Sequence, residues 1–317
     1  MSDTTLKPIA PMERRSPLAP SLARSRYWRT SLTGLAFVLP FLILYVLFLL
    51  WPIILGLGMS FYNWSLADAG KFLGFGNYLE LFADSDFWSS LWHTITFTVI
   101  STPIFVIFGL SLALLANRAI PARWLFRLSF FAPFVLPVSI VVILWNWLFQ
   151  PGYGFIDNAF AFIGWSQVDW LNDPNLAMLA VIVVTLWWTV GSNFLLYLAG
   201  LQQIPQELYE AAAIDGAGAR AKTLWVTLPL LGRITMLIVI LQVIASLQVF
   251  GQIYLLTQGG PNFATRPVIQ YIYETGFSSY RIGYASAISY ILFILILIFT
   301  VGNFLLFGRQ ERRSEAL

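Results

Sequence analysis

The polar side chains inside the long apolar segments of this sequence are neutral, and they fall at helical spacing. Thr185, Thr189 and Ser192 lie at positions i, i+4 and i+7, so one face of a helix carries all three hydroxyl groups. Gln242 and Ser246 have the same relation in a later apolar segment. Neutral donors and acceptors beside an aromatic ring match the hydroxyl groups and the apolar face of a carbohydrate. The predicted solute path is formed by Thr185, Trp188, Thr189, Ser192, Asn193, Gln242, Ser246 and Val249.

These residues also have a purely structural interpretation, because hydroxyl and amide groups in apolar segments join helices by hydrogen bonds. The sequence leaves that alternative open for each of them. Gln248 and Gln252 are expected to serve packing, since on a continuous helix they point away from the face that carries Gln242.

Residue content excludes several kinds of chemistry. The chain has no cysteine and one histidine, His93, which rules out thiol nucleophiles, thiolate metal sites and histidine clusters. The one Gly-Lys pair, Gly70 and Lys71, is followed by Phe72 and lacks the first glycine of a phosphate-binding loop, so ATP must bind elsewhere. No nucleophile, base and orienting group can be assembled, so an enzyme is not expected.

The elements that hold the polar groups must be membrane helices. Apolar residues make up 58% of the 317 residues and charged residues only 10%, whereas about a quarter of a soluble domain is charged. Six apolar runs are long enough to span a bilayer: 32–57, 91–116, 124–149, 176–198, 234–256 and 284–307. The predicted fold class is an all-α, six-span membrane protein, with a membrane domain at 32–308, a basic N-terminal tail at 1–31 and a C-terminal tail at 309–317.

None of the six runs carries an Asp, Glu, Lys or Arg in its interior. Ion-coupled carriers commonly use ionisable groups inside the membrane for the coupling step. A self-sufficient secondary transporter is therefore the less favoured alternative.

Lys and Arg residues are distributed unevenly around the six runs. Fifteen of the 18 lie on one side, and only Lys71, Arg266 and Arg281 lie on the other. By the positive-inside rule, both termini and the segment 201–232 are predicted to face the cytosol.

The segment 201–232 is a mostly polar stretch between two apolar runs. Residues 207–214 are helix-forming, with acids near the start, where the helix dipole favours them. Gly216 is predicted to be a left-handed cap, and residues 219–227 to form a second short helix before Pro229.

This segment resembles the EAA loop of ABC-importer permeases, the cytosolic element that docks on the ATPase subunit. The residues at the family spacing, which the resemblance assigns to ATPase coupling, are Glu210, Ala211, Ala212, Asp215, Gly216, Ala217, Leu228 and Pro229. Similar stretches at LGFGNYLELF, YLLTQGGP and RIGYASAIS extend the resemblance to the carbohydrate-uptake branch of the family.

The resemblance implies the fold of type I ABC importers and a set of partners. These are a second homologous permease, two ATPase subunits that hold the ATP and Mg, and an external solute-binding protein, all at a bacterial inner membrane. Gly259, Gly260 and Pro261 are implied to contact the binding protein. The implied substrate is a mono- or oligosaccharide, with a glycerol-3-phosphate-like or acidic oligosaccharide substrate as the alternative.

Overall fold

Apolar α-helices make up most of the chain. The computed structural model describes residues 35–65, 68, 70–117, 123–164 and 166–314, with side chains through residue 303 and at residue 305. Across these residues the only β-structure is an isolated antiparallel bridge between Tyr62 and Phe72. The helices are α1 (Leu35–Met59), α2 (Gly76–Ala83), α3 (Ser85–Ala116), α4 (Arg123–Val135), α5 (Val138–Leu148), α6 (Phe155–Phe162), α7 (Ala177–Leu201), α8 (Gln206–Ile214), α9 (Ala219–Leu230), α10 (Gly232–Leu247), α11 (Gly251–Leu256), α12 (Val268–Tyr273) and α13 (Ile282–Ser314).

The chain divides after Gly56 into two compact units. The described part of the first is apolar helix from α1, a 25-residue element that is long enough to cross a bilayer. The second unit contains all the features discussed below. The predicted tail at 1–31 lies outside the described residues, and α13 continues to Ser314, past the predicted boundary at 308.

Four helices in the described chain are long and apolar enough to cross a membrane, and six spans result if each of two bent helix pairs counts as one. The all-helical membrane fold is therefore as predicted. The bent pairs are α4 with α5 and α9 with α10.

The third predicted span, 124–149, is not one helix. Residues 123–135 and 138–148 form α4 and α5, which meet at 104°. Pro137 has no N–H to continue the first helix, and Leu136 is disfavoured in the α conformation because a proline follows it. Proline can kink a membrane helix without ending it, and α4 continues through Pro133, whereas the helix is broken at Pro137.

The fifth predicted span, 234–256, is also interrupted. Helix α10 ends at Leu247, and α11 starts at Gly251 after Phe250, whose backbone angles of φ −151° and ψ −67° are not helical. Non-helical backbone at membrane depth is tolerated where protein or a water-filled cavity covers it. This break lies beside such a cavity.

Helix α7 packs closely against α3 and α4 because small residues lie at the contacts. A Cβ added to Gly109 of α3 would lie 2.9 Å from the Cβ of Asn193, and one added to Gly191 would lie 2.6 Å from the carbonyl oxygen of Phe130. Glycines at these points let the helix backbones approach. Fully buried Phe194 and Tyr197 then fill the space around α7.

The connection between α11 and α13 is held against the start of α3 by buried charge. The side chain of Arg266 is 6% exposed, and its Nη2 lies 3.1 Å from Oδ1 of Asp86. Its Nε donates to Oγ of Ser90 at 3.2 Å, and Nη1 lies 3.6 Å from Oε2 of Glu274. The guanidinium also lies 4.2 Å from the centre of the Phe263 ring. A buried arginine needs such partners, so this connection has a fixed position on α3.

Asp84, the N-cap of α3, makes a second attachment. Its carboxylate accepts hydrogen bonds from the hydroxyls of Tyr271 and Tyr284 and from the backbone N–H of Asp86. Arg281 pairs with both carboxylate oxygens of Glu80 at 2.7 Å. Of the three basic residues predicted to lie on the less basic side of the membrane, Arg266 and Arg281 therefore form ion pairs.

Candidate functional site

A cavity of about 320 Å³ lies between α7 and α10, and we call it the central cavity. Five elements contribute to its wall, including α3, α4 and α11. The lining residues are Phe97, Phe134, Thr185, Thr189, Ser192, Asn193, Leu196, Leu241, Gln242, Ala245, Ser246 and Gln252. Six of the eight residues of the predicted solute path are therefore brought together here.

The hydroxyl groups along α7 all donate their hydrogens to backbone carbonyls of the same helix. Oγ1 of Thr185 donates to the carbonyl of Val181 at 2.7 Å, and Oγ1 of Thr189 donates to that of Thr185 at 2.7 Å. Oγ of Ser192 donates to the carbonyl of Thr189 at 2.8 Å. Each hydrogen is used by the helix backbone, so the oxygen lone pairs remain available as acceptors. This face of the cavity can accept hydrogen bonds from a ligand's hydroxyl groups.

A buried polar chain crosses the opposite side of the cavity. Nδ2 of Asn193 donates to Oε1 of Gln242 at 2.8 Å, and Nε2 of Gln242 donates to Oγ of Ser246 at 3.2 Å. Oγ of Ser246 lies 3.3 Å from Oγ of Ser101 on α3. Gln242 and Ser246 are 9% and 2% exposed, so they join three helices and also form part of the wall. Gln242 and Ser246 therefore have both roles that the sequence left open: they join helices and they line the cavity.

Three residues differ from the sequence-based expectation. Gln252 was expected to face away, yet it lines the cavity, with Nε2 3.5 Å from Oγ1 of Thr185, because the break before α11 changes the register. Trp188 is outside the wall and donates its indole N–H to the carbonyl of Leu136 at 3.0 Å. Val249 is 3% exposed and packs in the apolar core with Phe97 and neighbours.

The two aromatic residues in the wall are Phe97 and Phe134, which the sequence analysis did not select. They lie on α3 and α4, and only the packing of those helices on α7 brings them to the cavity. None of the lining residues is an Asp, Glu, Lys or Arg. The cavity therefore offers neutral polar groups and aromatic surface, and no ion pair to a charged ligand.

The predicted coupling segment forms a helical hairpin of α8 and α9. The backbone N–H of Ala217 donates to the carbonyl of Ala212 at 2.8 Å, and that of Gly216 to the carbonyl of Ala213 at 3.1 Å. This is the Schellman pattern of a helix C-terminus. Gly216 has φ +81°, the left-handed conformation predicted for it.

A side-chain hydrogen bond holds the two helices of the hairpin together. The hydroxyl of Tyr209 lies 3.0 Å from Oγ1 of Thr227, which is 4% exposed. Among the residues assigned to ATPase coupling, Glu210, Ala211, Asp215, Gly216 and Pro229 are exposed, and Ala212, Ala217 and Leu228 are half-buried. Ile214 and Trp225 are 87% and 79% exposed, so the hairpin also presents apolar side chains.

The turn at Gly259, Gly260 and Pro261 is tight, with the N–H of Gly260 donating to the carbonyl of Thr257 at 2.8 Å. Gly259 has φ +81° and is buried, since a Cβ there would lie 2.7 Å from Nε2 of Gln270. Gly260 and Pro261 are half-exposed. Surface contact at this turn is therefore available through Gly260 and Pro261. Across the described residues, no group of three His, Cys, Asp or Glu side chains could hold a metal ion.

Comparison with known proteins places this geometry among transport proteins. A family model described as a binding-protein-dependent transport system inner membrane component matches residues 72–313. The chain is 36% identical to the sulfoquinovosyl glycerol transport system permease protein SmoG of Agrobacterium fabrum, over 81% of this chain and 84% of that protein. It is 34% identical to the trehalose/maltose transport system permease protein MalF of Thermococcus litoralis, over 90% and 96%.

A solved structure gives the same fold. A chain of a bacterial ABC transporter involved in the import of the acidic polysaccharide alginate superposes with a TM-score of 0.80 at 25% identity, over 91% of this chain and 99% of that one.

Proposed function

This chain belongs to the family of binding-protein-dependent transport system inner membrane components, and from that membership we propose that it is the permease subunit of an ATP-driven importer of a neutral sugar. The observation that supports the substrate class is the wall of the central cavity. It presents hydroxyl oxygens, side-chain amides and two phenyl rings, and no charged side chain. A sugar's hydroxyls and apolar face need such groups, whereas an unpaired anion in an apolar site costs at least several kcal/mol.

The importer needs partners, because this sequence has no nucleotide-binding loop. We infer a second homologous permease that completes the path and two ATPase subunits that bind ATP and Mg. A solute-binding protein delivers the sugar from outside the bacterial inner membrane. Gly260 and Pro261, which are half-exposed at their turn, are the proposed contacts for that protein.

Coupling to ATP hydrolysis is proposed to pass through the α8–α9 hairpin. Glu210 is exposed and accepts a hydrogen bond from Gln206 at 3.0 Å, so its carboxylate is available to a basic group on an ATPase. The hairpin is tied together through Tyr209 and capped at Gly216, so it can transmit motion as one body. The distribution of Lys and Arg supports a cytosolic position for the hairpin and for both termini.

A second candidate is an acidic oligosaccharide, which the similarity to a chain of an alginate importer favours. That substrate would require the partner permease to supply positive charge, because the described lining of this half supplies none. Competition by charged and neutral oligosaccharides for uptake separates the two candidates.

The test is sugar uptake by the complete transporter in proteoliposomes, with a panel of glucose, trehalose, maltose, maltotriose and alginate oligosaccharides. Ser192→Ala and Gln242→Leu should raise the sugar concentration needed for half-maximal uptake about fivefold or more, since each removes a hydrogen bond worth about 1 kcal/mol. Protein insertion and basal ATPase activity should remain near normal.

Ser101→Ala is the matched control, because it breaks the contact with Ser246 without changing the cavity wall. If it reproduces the loss seen with Gln242→Leu, while Ser192→Ala has no effect, the polar groups serve helix packing. In that case the cavity is not the sugar site.

A further inference from the structure

A second cavity, of about 330 Å³, lies where α5 and α11 end and the loops that follow them meet. We call it the loop cavity. Its floor is apolar, formed by buried Phe149 and Leu256, and its rim is polar, formed by Asn146, Gln150, Asp169 and Asn172. Gly260 and Pro261, the proposed contacts for the solute-binding protein, also line it, so a sugar released by that protein would enter here first. It shares no lining residue with the central cavity. The loop cavity is thus a separate concave site with an amphipathic wall.

The rim has unused hydrogen-bonding capacity. In the described part of the chain, the side-chain amides of Asn146 and Gln150 have no hydrogen-bond partner, although each offers two donors and an acceptor. Oδ1 and Oδ2 of Asp169 accept from Nδ2 of Asn172 at 2.9 and 3.1 Å, which fixes the carboxylate at the rim. A carboxylate can accept further bonds at each oxygen. The rim can therefore bind several hydroxyl groups at once.

The charge of the rim selects among hydroxylated ligands. Asp169 is the one charged side chain that lines the loop cavity. An acidic sugar would be repelled by this carboxylate, whereas the hydroxyls of a neutral one can donate to it. The apolar floor suits the less polar face of a sugar ring.

The two cavities adjoin the same helix, α11. Gln252 lines the central cavity and Leu256 lines the loop cavity, and both belong to α11. Four residues of helix correspond to about 6 Å. The two cavities are therefore lined by residues about one sugar-ring length apart along α11.

From this arrangement, and resting on the proposed function, we propose that the loop cavity is a binding site for a neutral carbohydrate. It receives the sugar before the central cavity does. The rim residues Asn146 and Asp169 bind its hydroxyl groups.

The test measures sugar binding to the complete transporter trapped with ADP and vanadate, by equilibrium dialysis. The probe is the radiolabelled neutral sugar of the uptake panel that the wild type imports fastest. Asn146→Ala and Asp169→Asn should each weaken one class of site about tenfold, the effect of losing one or two hydroxyl hydrogen bonds. Gln242→Leu should weaken a different class, so the double variant Asn146→Ala, Gln242→Leu should lose both.

Gln167→Ala is the control, since Gln167 is an exposed amide in the same connecting segment that does not line the cavity. Affinity of the solute-binding protein for the transporter is measured in parallel and should be unchanged in all variants.

Three results decide the matter. If Asn146→Ala and Asp169→Asn bind sugar as Gln167→Ala does, the loop cavity is not a sugar site. If they weaken the solute-binding protein instead, the cavity is part of a protein-docking surface and the proposal is wrong. If the wild type imports no neutral sugar of the panel, the proposed function itself fails.

Discussion

Asp84 shows how a single carboxylate stabilises the attachment at the start of α3. Burial raises its pKa, but hydrogen bonds from Tyr271, Tyr284 and the backbone N–H of Asp86 outweigh that effect and hold the pKa below its usual value of 3.8. Burial and the hydrogen bond to Asp84 raise the pKa of Tyr271 to about 12. The tyrosines therefore stay protonated donors at neutral pH, and the carboxylate stays ionised.

The lowered pKa of Asp84 predicts a pH-dependent contribution to stability. A carboxylate whose pKa is lower in the folded state stabilises the fold above its unfolded pKa, and the contribution is lost as the pH falls below about 4. Asp84→Asn should lower the thermal unfolding midpoint at pH 7, through the loss of about 1–3 kcal/mol of charge-assisted hydrogen bonding. The difference between variant and wild type should shrink towards pH 3.

Thermal unfolding of the purified protein in detergent, followed at pH 7 and pH 3, gives this measurement. Asp68→Asn is a control, because Asp68 belongs to a different loop. Equal midpoints for Asp84→Asn and wild type at pH 7 would show that the tyrosine contacts contribute nothing.

Most polar residues of the central cavity could be found from helical spacing alone. Thr185, Thr189 and Ser192 share a face because α7 is a regular helix across them. The prediction put Trp188 on the solute path, whereas its indole N–H binds the carbonyl of Leu136. That carbonyl is freed only by the break between α4 and α5. Phe97 and Phe134 belong to other helices, and spacing within one segment does not reveal contacts between segments.

At the scale of elements, the break between α10 and α11 is not marked in the sequence by a proline or by an end to the apolar run. Residues 247–251, LQVFG, contain no proline, and Gly251 lies inside an apolar run that reads as one span. The break nevertheless turns Gln252 towards Thr185. Spacing extrapolated through the break pointed Gln252 away from the face of Gln242, which the lining of the cavity contradicts, although its contact with Thr185 does join two helices.

The hairpin, by contrast, was predictable in detail, because glycine at a helix end has a specific backbone role. Gly216 has φ +81°, and Gly218, two residues later, has φ −72°. Only the first of these angles is unfavourable for other residues, by about 1–2 kcal/mol.

Gly216→Val should therefore distort the cap of α8 and uncouple ATP hydrolysis from sugar transport. We expect the variant to insert into the membrane and to assemble, with uptake reduced at least tenfold. Gly218→Ala should transport normally, since its φ is ordinary and no atom lies within 4 Å of an added Cβ. Uptake and sugar-stimulated ATPase activity in proteoliposomes measure both variants, and normal uptake by Gly216→Val would contradict the role of the cap.

At the scale of the whole molecule, composition and apolar run length were enough to predict an all-helical membrane protein. The number of spans depends on how two bent helix pairs are counted, and the angles of 104° and 63° arise from tertiary packing and from local breaks. These angles could not be read from hydropathy, which measures only how apolar a run is.

The orientation of the chain can be tested directly because the sequence contains no cysteine. Arg220→Cys should react with an impermeant thiol reagent only in inverted vesicles, and Gln167→Cys only from the outside, given the uneven distribution of Lys and Arg. Both positions are exposed, so each thiol is accessible on its own side. Reaction of both thiols from the same side would overturn the six-span topology.

Helix α3 has a further consequence for the membranes that can host this protein. Its 32 residues extend for about 48 Å, whereas a hydrocarbon core is about 30 Å thick. The excess of about 18 Å carries the first turns of α3, with Asp86 and Ser90, out of the acyl-chain region. The attachment of Arg266 to α3 is buried in protein near this end of the helix, so lipids with somewhat longer or shorter acyl chains should leave it intact.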